Sequence, residues 1–392
     1  MTIERIKQYV QSCHINFLFG SGLSCPFLST LGNVEQWLTE LSTTDKDSPT
    51  TRNAIETNIL VKYVENVMFP CIEDLDEEQR ARKNKVLFQY AQFLQVWNKI
   101  IARRHIGLLD KQINVFTTNI DNLVEEVAEN LGIEFNQGFK GQMKPTFNES
   151  AFSNVVSKVS PLYHTTATIP VFNYLKVHGS INWASVADGE IVYDMSHEVL
   201  FTLREDIKAL RERDLIYSFE EYNDLHDMIV SDSARIGHQS SVLKSFLQHY
   251  KALVMVNPRK EKFRESVIDL HFYELMRLYS NALERSNSVL FVAGFSFADE
   301  QHIVQITVRA ANANPTLQII VFSFNEEQKS IIRSNLSKGG NIINPNILIL
   351  TPEDYRKASS DEKFKSYLAD LKLFDLESIN KFVFEPLANL IS

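Results

Sequence analysis

The chain has 392 residues and a net charge of −9 at neutral pH, and 44% of its residues are hydrophobic. This composition is typical of a folded protein, and the negative charge argues against direct nucleic-acid binding, which needs a basic face to displace counterions from phosphates. Three cysteines without a Cys-x-x-Cys pair exclude a four-cysteine zinc site, and no apolar run reaches the length of a membrane span, so we expect a cytoplasmic protein without a membrane contact.

The first elements are a short helix over residues 1–12 and a buried strand, Ile15–Phe19, which leads into a glycine turn. The apolar run is continuous rather than alternating, as in a parallel strand that helices cover on both faces. Gly20 and Gly22 carry no Cβ, so peptide N–H groups could approach an anion there. An ordinary turn between a strand and a loop is the alternative. A helix over residues 31–41 follows.

Two long segments interrupt the predicted strands, at about 43–110 and 184–250. In the first, apolar residues recur at helical spacing from Ile55 to Ile101, and the second is polar and mostly helical in pattern. We predict that both are helical insertions. Between them, a loop is predicted over residues 137–170, because this stretch contains several prolines and glycines and little periodicity.

Most of the remaining predicted strands are followed by polar or small residues. They are Ile113–Thr118, Ile133–Phe135, Phe172–Val177, Leu253–Val256, Val289–Ala293, Leu317–Phe322 and Ile347–Leu350. The later strands alternate with predicted helices, Ser266–Arg285, Asp299–Ala313 and Glu326–Leu336, which requires parallel pairing through crossovers. The sequence therefore predicts an α/β fold: a doubly wound, mostly parallel Rossmann-like sheet, with the helical insertions forming a smaller second subdomain.

In such a sheet, ligands bind outside the carboxyl ends of the strands, so the residues that follow each strand are candidates. Asn119 and Asp121 follow the second strand; Asp121 could cap the next helix, or the pair could flank a substrate. His178 follows a later strand, where it is either a buried, hydrogen-bonded side chain or a general base. The segment Gly294–Phe297 forms a corner before a helix whose first turn is predicted to hold Glu300.

Together these motifs resemble those of the sirtuin superfamily of NAD-binding enzymes. The order is FLFGSGLS, then TTNID, VHGSINW, VNP, GFSF and SFN, and it spans the chain from Phe17 to Asn325. In that family, a Gly-Ala-Gly-type loop, a Thr-Gln-Asn-Ile-Asp segment, a catalytic His-Gly, a Gly-Thr-Ser-type turn and a later Asn line one NAD site. The resemblance implies a sirtuin-like NAD-binding catalytic domain over residues 1–360 and a helical tail over residues 361–392.

The resemblance also implies a role for each matching residue. The implied catalytic set is Asn119, beside the nicotinamide ribose, Asp121, which holds the carboxamide, and His178, the catalytic histidine. The implied binding set is Gly20, Ser21 and Gly22 at the pyrophosphate, Ser24 in the same loop, Gly294 and Ser296 on the adenosine phosphate side, and Asn325 near the adenosine ribose.

The chain departs from deacylating sirtuins in three places, one of which is the cofactor loop, where the Asp-Phe-Arg portion is absent after Pro26-Phe27. It has no four-cysteine zinc module after the catalytic His, and VNPRKEKF from Val256 stands where those enzymes have the Phe-Gly-Glu segment that helps to bind the acyl-lysine peptide. The turn GFSFADEQHI looks like the corresponding turn of the sirtuin-like bacterial NADases of antiphage defence, which lack the zinc module.

This second resemblance implies an NAD glycohydrolase that cleaves NAD to nicotinamide and ADP-ribose, with NAD as its substrate and no metal. It also implies a ring-like homo-oligomer with a HerA-like ATPase as a partner. A carboxylate, an asparagine that positions water and a histidine that accepts a proton meet the needs of this hydrolysis. Two alternatives stay open: a zinc-free deacylase or ADP-ribosyltransferase, which needs an acceptor, and a non-catalytic module that senses NAD or ADP-ribose.

Overall fold

The structure is a computed structural model that describes residues 1–29, 33–43, 47–104, 109–186, 189–256, 270–298 and 300–391. Numbered in chain order, its strands are β1 (His14–Phe19), β2 (Gln112–Thr117), β3 (Phe135–Asn136), β4 (Phe139–Lys140), β5 (Thr146–Phe147), β6 (Ser157–Val159), β7 (Thr166–Thr168), β8 (Val171–Lys176), β9 (Gly179–Ser185), β10 (Ile191–Tyr193), β11 (Leu253–Met255), β12 (Ser288–Ala293), β13 (Gln318–Phe322) and β14 (Ile347–Leu350).

The helices are numbered in the same way. They are α1 (Ile3–Ser12), α2 (Val34–Thr43), α3 (Pro49–Tyr63), α4 (Glu77–Ala102), α5 (Leu123–Leu131), α6 (Glu198–Glu212), α7 (Tyr222–Ser231), α8 (Ser233–Gly237), α9 (Ser240–Tyr250), α10 (Leu270–Glu284), α11 (Gln301–Ala313), α12 (Glu326–Ser337), α13 (Pro352–Ala358), α14 (Glu362–Tyr367), α15 (Leu376–Ile379) and α16 (Glu385–Leu390). Short 3₁₀ segments lie at Ser21–Leu23, Phe69–Cys71, Glu149–Ser153 and Leu368–Asp370, and π-helical turns at Val64–Met68 and Asn380–Phe384.

Within the described residues, seven parallel strands form the central sheet, in the order β14-β13-β12-β1-β2-β8-β3. β1 lies between β12 and β2 and runs parallel to both. Phe17 and Phe19 belong to the hydrophobic layer on one face, and Leu18 belongs to the layer on the other, so both faces of the strand need apolar residues. The polar residue within it, Asn16, is buried and donates through Nδ2 to Val289 O at 3.3 Å. The predicted α/β, doubly wound, Rossmann-like architecture is confirmed.

Aromatic rings fill the core on the Phe17 face of the sheet. The ring centroid of Phe17 lies 5.0 Å from that of Phe93 and 4.9 Å from that of Trp97, both on α4. Phe384, near the C-terminus, packs 5.1 Å from Trp97 and 6.2 Å from Phe291 of β12. The C-terminal residues therefore contribute to the same core as the central strands.

The two helical segments pack against each other. Asn58 of α3 donates through Nδ2 to Leu215 O at 3.0 Å and accepts a hydrogen bond from Tyr217 N–H at 2.7 Å. Lys62 of α3 donates to Phe219 O at 2.7 Å. These bonds join the segment between β1 and β2 to the segment between β10 and β11.

Two local predictions are wrong. The stretch over residues 137–170, predicted as a loop, contains β4, β5, β6 and β7, because strands of two or three residues are too short to show a period. β11, predicted within the parallel series, instead pairs antiparallel with β9 in a second sheet of order β11-β9-β10-β5-β4. Alternation with helices does not tell which sheet a strand joins.

Some predictions concern residues outside the described ranges. The predicted helix Ser266–Arg285 is described only from Leu270 onward, and most of the VNPRKEKF segment lies in the undescribed range 257–269. The start of the predicted helix over 31–41 and the residue Asp299 also lie outside the described residues.

Candidate active site

The carboxyl ends of β1 and β12 carry two turns that pack directly against each other. Gly20 donates its N–H to Ala293 O at 3.2 Å, and Gly22 donates to Gly294 O at 3.1 Å. A Cβ at Gly20 would lie 2.5 Å from Gly294 O, and a Cβ at Gly294, whose φ is +64°, would lie 2.7 Å from Leu23 N. Only glycine fits at these positions, because the two backbones are in contact there.

This packing bears on the predicted pyrophosphate site. The N–H groups of Gly20 and Gly22 already donate to carbonyl oxygens, so the structure gives these glycines a packing role. Ser21 is exposed, and it lines the cavity described next. The pyrophosphate role of the turn stays a prediction, and Ser21 is the residue of the turn best placed for it.

A cavity of about 540 Å³ opens beside the two turns, within the range of roughly 300–1,000 Å³ that is usual for cofactor pockets. The predicted site residues on its wall are Ser21, Gly22, His178, Gly294 and Ser296. The predicted residues that do not line it are Gly20, Ser24, Asn119, Asp121 and Asn325. The structure thus brings the histidine to the glycine turns and places Asn119 and Asp121 in the buried interior.

His178 lies between β8 and β9 and has an acidic partner. Its Nε2 is 3.2 Å from Glu300 Oε2, and the two side chains are only 12% and 13% exposed. A carboxylate at this distance from one ring nitrogen can orient the imidazole, as in sites where histidine acts as a base. The prediction that Glu300 belongs to the first helical turn is wrong, because this residue precedes α11 and its carboxylate is directed to His178.

Ser24, Asn119 and Asp121 form a buried hydrogen-bonded cluster with Tyr90. Ser24 Oγ donates to Asp121 Oδ2 at 2.8 Å, so it accepts from Asn119 Nδ2 and from Tyr90 OH, each at 3.2 Å. Burial, followed by the negative charge of Asp121, holds the pKa of Tyr90 well above its ordinary value, which keeps the phenol a donor. Asn119 Oδ1 is buried and has no hydrogen-bond partner in the part of the chain that the structure describes.

Asp121 accepts hydrogen bonds through both carboxylate oxygens. Its Oδ1 accepts from Leu123 N–H at 3.2 Å, in a turn directly before α5, whose N-cap residue is Asn122, and Oδ2 accepts from Ser24. Its main-chain oxygen accepts from Lys176 Nζ at 2.5 Å. The position of Asp121 is therefore fixed by contacts within the protein, and its predicted contact with the carboxamide stays a prediction.

Lys176 joins the end of β8 to α5 and β9 through a buried ammonium group. Its Nζ lies 2.5 Å from Glu125 Oε1 and 2.6 Å from Ser180 Oγ. Burial raises the pKa of the Glu125 carboxyl, and the neighbouring Lys176 charge partly offsets this rise. Sequence reasoning missed this network, although a lysine at the end of an apolar strand, two residues before His178 of the His-Gly motif, was a visible signal.

Two of the residues predicted near the adenosine, Ser296 and Asn325, have different places: one lines the cavity and the other caps a helix. Ser296 lines the cavity, and its carbonyl accepts from Asn335 Nδ2 at 3.0 Å. Asn325 Oδ1 accepts from Gln328 N–H at 2.9 Å and so caps α12. Gln328, rather than Asn325, is the residue of this turn that lines the cavity.

The far wall of the cavity comes partly from the C-terminal segment. Phe324, Phe374 and Asp375 line it, and Phe374 N–H donates to Phe324 O at 3.2 Å. Phe324 belongs to the SFN motif, whereas no motif marks Phe374 and Asp375, because their place on the wall depends on the path of the chain after β14. Sequence reasoning therefore missed the contribution of the C-terminal segment to the cavity.

Two further observations concern metals and membranes. Among the described residues, no group of three or more His, Cys, Asp or Glu side chains is arranged to hold a metal ion. Across the same ranges, no helix combines the length and the apolar character that crossing a membrane requires.

The model of the SIR2-like domain family matches residues 113–342, which is more than half of the chain. The chain belongs to the SIR2-like domain family. SIR2-like domains bind NAD, and members of the family are NAD-dependent enzymes. The matched range includes Asn119, Asp121 and His178, whereas the FLFGSGLS turn precedes it. None of the curated proteins matches the chain.

Proposed function

We propose that this SIR2-like protein is an NAD glycohydrolase that cleaves NAD to nicotinamide and ADP-ribose. The observation that carries the proposal is the pair of His178 and Glu300 on the wall of a 540 Å³ cavity beside the two glycine turns. The side chain of Phe324, 47% exposed on the cavity wall, offers a stacking surface for the adenine ring. His178 would then face the other end of the dinucleotide.

The reaction breaks the bond between the nicotinamide nitrogen and C1′ of the ribose. The nitrogen keeps the electron pair and leaves as a neutral base, so the leaving group needs little acid catalysis. The ribose passes through an oxocarbenium-like state, as in glycoside hydrolysis, and a water oxygen bonds to C1′. His178 takes the proton of this water at Nδ1, while Glu300 holds the imidazole through Nε2.

Asn119 and Asp121 take different parts in this proposal. The unpartnered Asn119 Oδ1 is a buried acceptor, which costs free energy until a donor reaches it. Asn119 does not line the cavity in this structure, so its proposed contact with a ribose hydroxyl or the attacking water requires the cavity to open toward it when NAD binds. Both carboxylate oxygens of Asp121 already accept hydrogen bonds. Asp121 therefore acts through Ser24, which it holds in place for Asn119.

The test is a time course of NAD, nicotinamide and ADP-ribose with purified protein, run with and without an acyl-lysine peptide. We expect NAD loss without the peptide, and a loss of at least ~100-fold in rate for His178→Ala, the usual contribution of a general base. His164→Ala is the matched control, because His164 is exposed on the loop between β6 and β7. Turnover that needs the peptide would favour the deacylase alternative, binding of NAD without product would favour the sensing module, and full turnover by His178→Ala would refute the mechanism.

The biological part of the proposal rests on the resemblance to antiphage NADases. We propose that NAD depletion is the effect of this enzyme in bacterial defence, that it acts as a homo-oligomer, and that a HerA-like ATPase is its partner. Co-expression with such an ATPase, followed by NAD measurement during phage infection, tests this part. Equal NAD levels in cells with wild-type protein and with His178→Ala would contradict it.

A further inference from the structure

The outer edge of the central sheet is an uncharged, apolar strand. β14 consists of alternating isoleucine and leucine residues and contains no proline. Within the described ranges, β13 is the only strand paired with it. Proteins usually protect such edges with charges, prolines or bulges, because an open apolar edge can pair with a further strand.

The hydrogen bonds to β13 determine which backbone groups of β14 face the open side. Residues of the β13 region donate to Asn346 O at 2.8 Å and to Leu350 O at 2.9 Å. Since successive residues of a strand alternate in direction, Leu348 also faces β13. The N–H and C=O groups of Ile347 and Ile349 therefore point outward, and both residues are partly exposed.

We propose that β14 pairs antiparallel with β14 of a second copy of this chain, about a two-fold axis that passes through Leu348. In this register Ile347 of each copy lies opposite Ile349 of the other. Both residues have outward-facing backbone groups, so each such pair exchanges two hydrogen bonds, and the two Leu348 residues form the non-hydrogen-bonded pair at the axis. A shift by one residue would place each outward-facing residue opposite a residue whose backbone groups face β13, and these bonds would be lost.

The same edge also carries exposed apolar surface. Ile343, four residues before the start of β14, is 74% exposed. It lines a groove of about 430 Å³ beside the strand, whose walls also include Leu336 and Ile347. An exposed apolar surface of this kind is typical of an interface with another chain.

The charges near this edge also favour a second copy in the antiparallel direction. Arg333 of α12 lines the groove together with the residues that precede β14, whereas Glu353 follows β14 in the first turn of α13. Antiparallel pairing brings the start of one strand beside the end of the other. Arg333 of each copy then approaches Glu353 of the other, while a parallel pair would bring like charges together.

A cysteine at the axis tests the register. In a non-hydrogen-bonded antiparallel pair the Cα atoms lie about 4.5 Å apart, within the roughly 4.4–6.8 Å that a disulfide spans. We expect Leu348→Cys to give mostly covalent dimer, at twice the 45.1 kDa of the chain, after mild oxidation. Ile347→Cys is the matched control, because its two copies lie on opposite sides of the axis, beyond the roughly 7 Å limit for a disulfide. Wild-type protein gives the background from the native cysteines.

Each possible result either supports or overturns the proposed pairing of β14. More cross-linked dimer from Leu348→Cys than from Ile347→Cys supports the proposed register, and equal amounts from both overturn it. Light scattering over a concentration series adds a second measurement: Ile349→Lys should weaken association at least tenfold, whereas Phe88→Lys, at an exposed position on α4, should not. A wild-type mass equal to one chain at about 50 µM, or an unchanged mass for Ile349→Lys, would overturn the proposal and leave the edge to a strand from a different protein. These readouts do not depend on NAD turnover.

Discussion

Removing the charge of Lys176 tests how strongly the buried network behind the strand ends stabilises the fold. The side chain is 1% exposed, and its Nζ donates to Glu125 Oε1, Asp121 O and Ser180 Oγ at 2.5, 2.5 and 2.6 Å. Lys176→Met keeps most of the volume but leaves Glu125 as a buried carboxylate without a counter-charge. Removing one partner of a buried ion pair costs about 3–5 kcal/mol, so we expect the free energy of unfolding to fall by this amount.

Urea unfolding followed by circular dichroism measures this loss. Lys365→Met is the matched control: Lys365 pairs with Glu362 on the surface, with the two side chains 41% and 83% exposed, and such pairs contribute at most about 1 kcal/mol. The double variant Lys176→Met with Glu125→Leu replaces the pair by apolar groups and should regain most of the loss. Two results would contradict this account: a fall of less than about 1 kcal/mol in the free energy of unfolding of Lys176→Met, or a double variant no more stable than the single one. Either would mean that Lys176 does not stabilise the fold by neutralising the Glu125 charge.

The loss of stability in Lys176→Met should also depend on pH. Burial already raises the pKa of Glu125, and without the Lys176 charge it rises further. A carboxyl whose pKa is raised by folding is tolerated at low pH, where it is neutral, and destabilises the folded state as the pH rises through the raised pKa. The loss in Lys176→Met should therefore be small near the ordinary glutamate pKa of 4.5 and grow toward neutral pH. Equal losses at acidic and neutral pH would contradict this account.

Three further predictions follow from the site and the core. Glu300→Gln should lower kcat for NAD at least ~10-fold with little change in KM, since the carboxylate orients His178, and steady-state kinetics would show it. Gly294→Ala should cost more than ~2 kcal/mol, because it combines a positive φ with a backbone contact, whereas Gly237→Ala, in open space at the end of α8, should be near neutral by thermal unfolding. Phe384→Ala should cost about 3–5 kcal/mol in urea unfolding, and a smaller loss would argue against its place in the aromatic core.

The central sheet is largely predictable because its signals are local. The run Ile15–Phe19 identifies β1 to within one residue, since a strand that is buried on both faces is almost wholly apolar. Its one polar residue, Asn16, is buried and donates through Nδ2 to Val289 O at 3.3 Å. The small strands such as β4 and β6 could not be predicted, because each is paired with only one or two short neighbours and carries no period of its own. β11 shows the same limit, since its partner β9 is distant in the sequence.

For the candidate site, the sequence by itself determined which residues follow the strands: the glycine turn after β1, His178 after β8 and Gly294 after β12. Only the tertiary structure decided how these ends meet. It places Glu300 beside His178, and it buries Asn119, which donates a hydrogen bond to Ser24. Both contacts join residues that are far apart in the chain. The physical reason is that strand ends follow from local periodicity, whereas contacts across a sheet depend on the strand order and on how closely neighbouring turns pack.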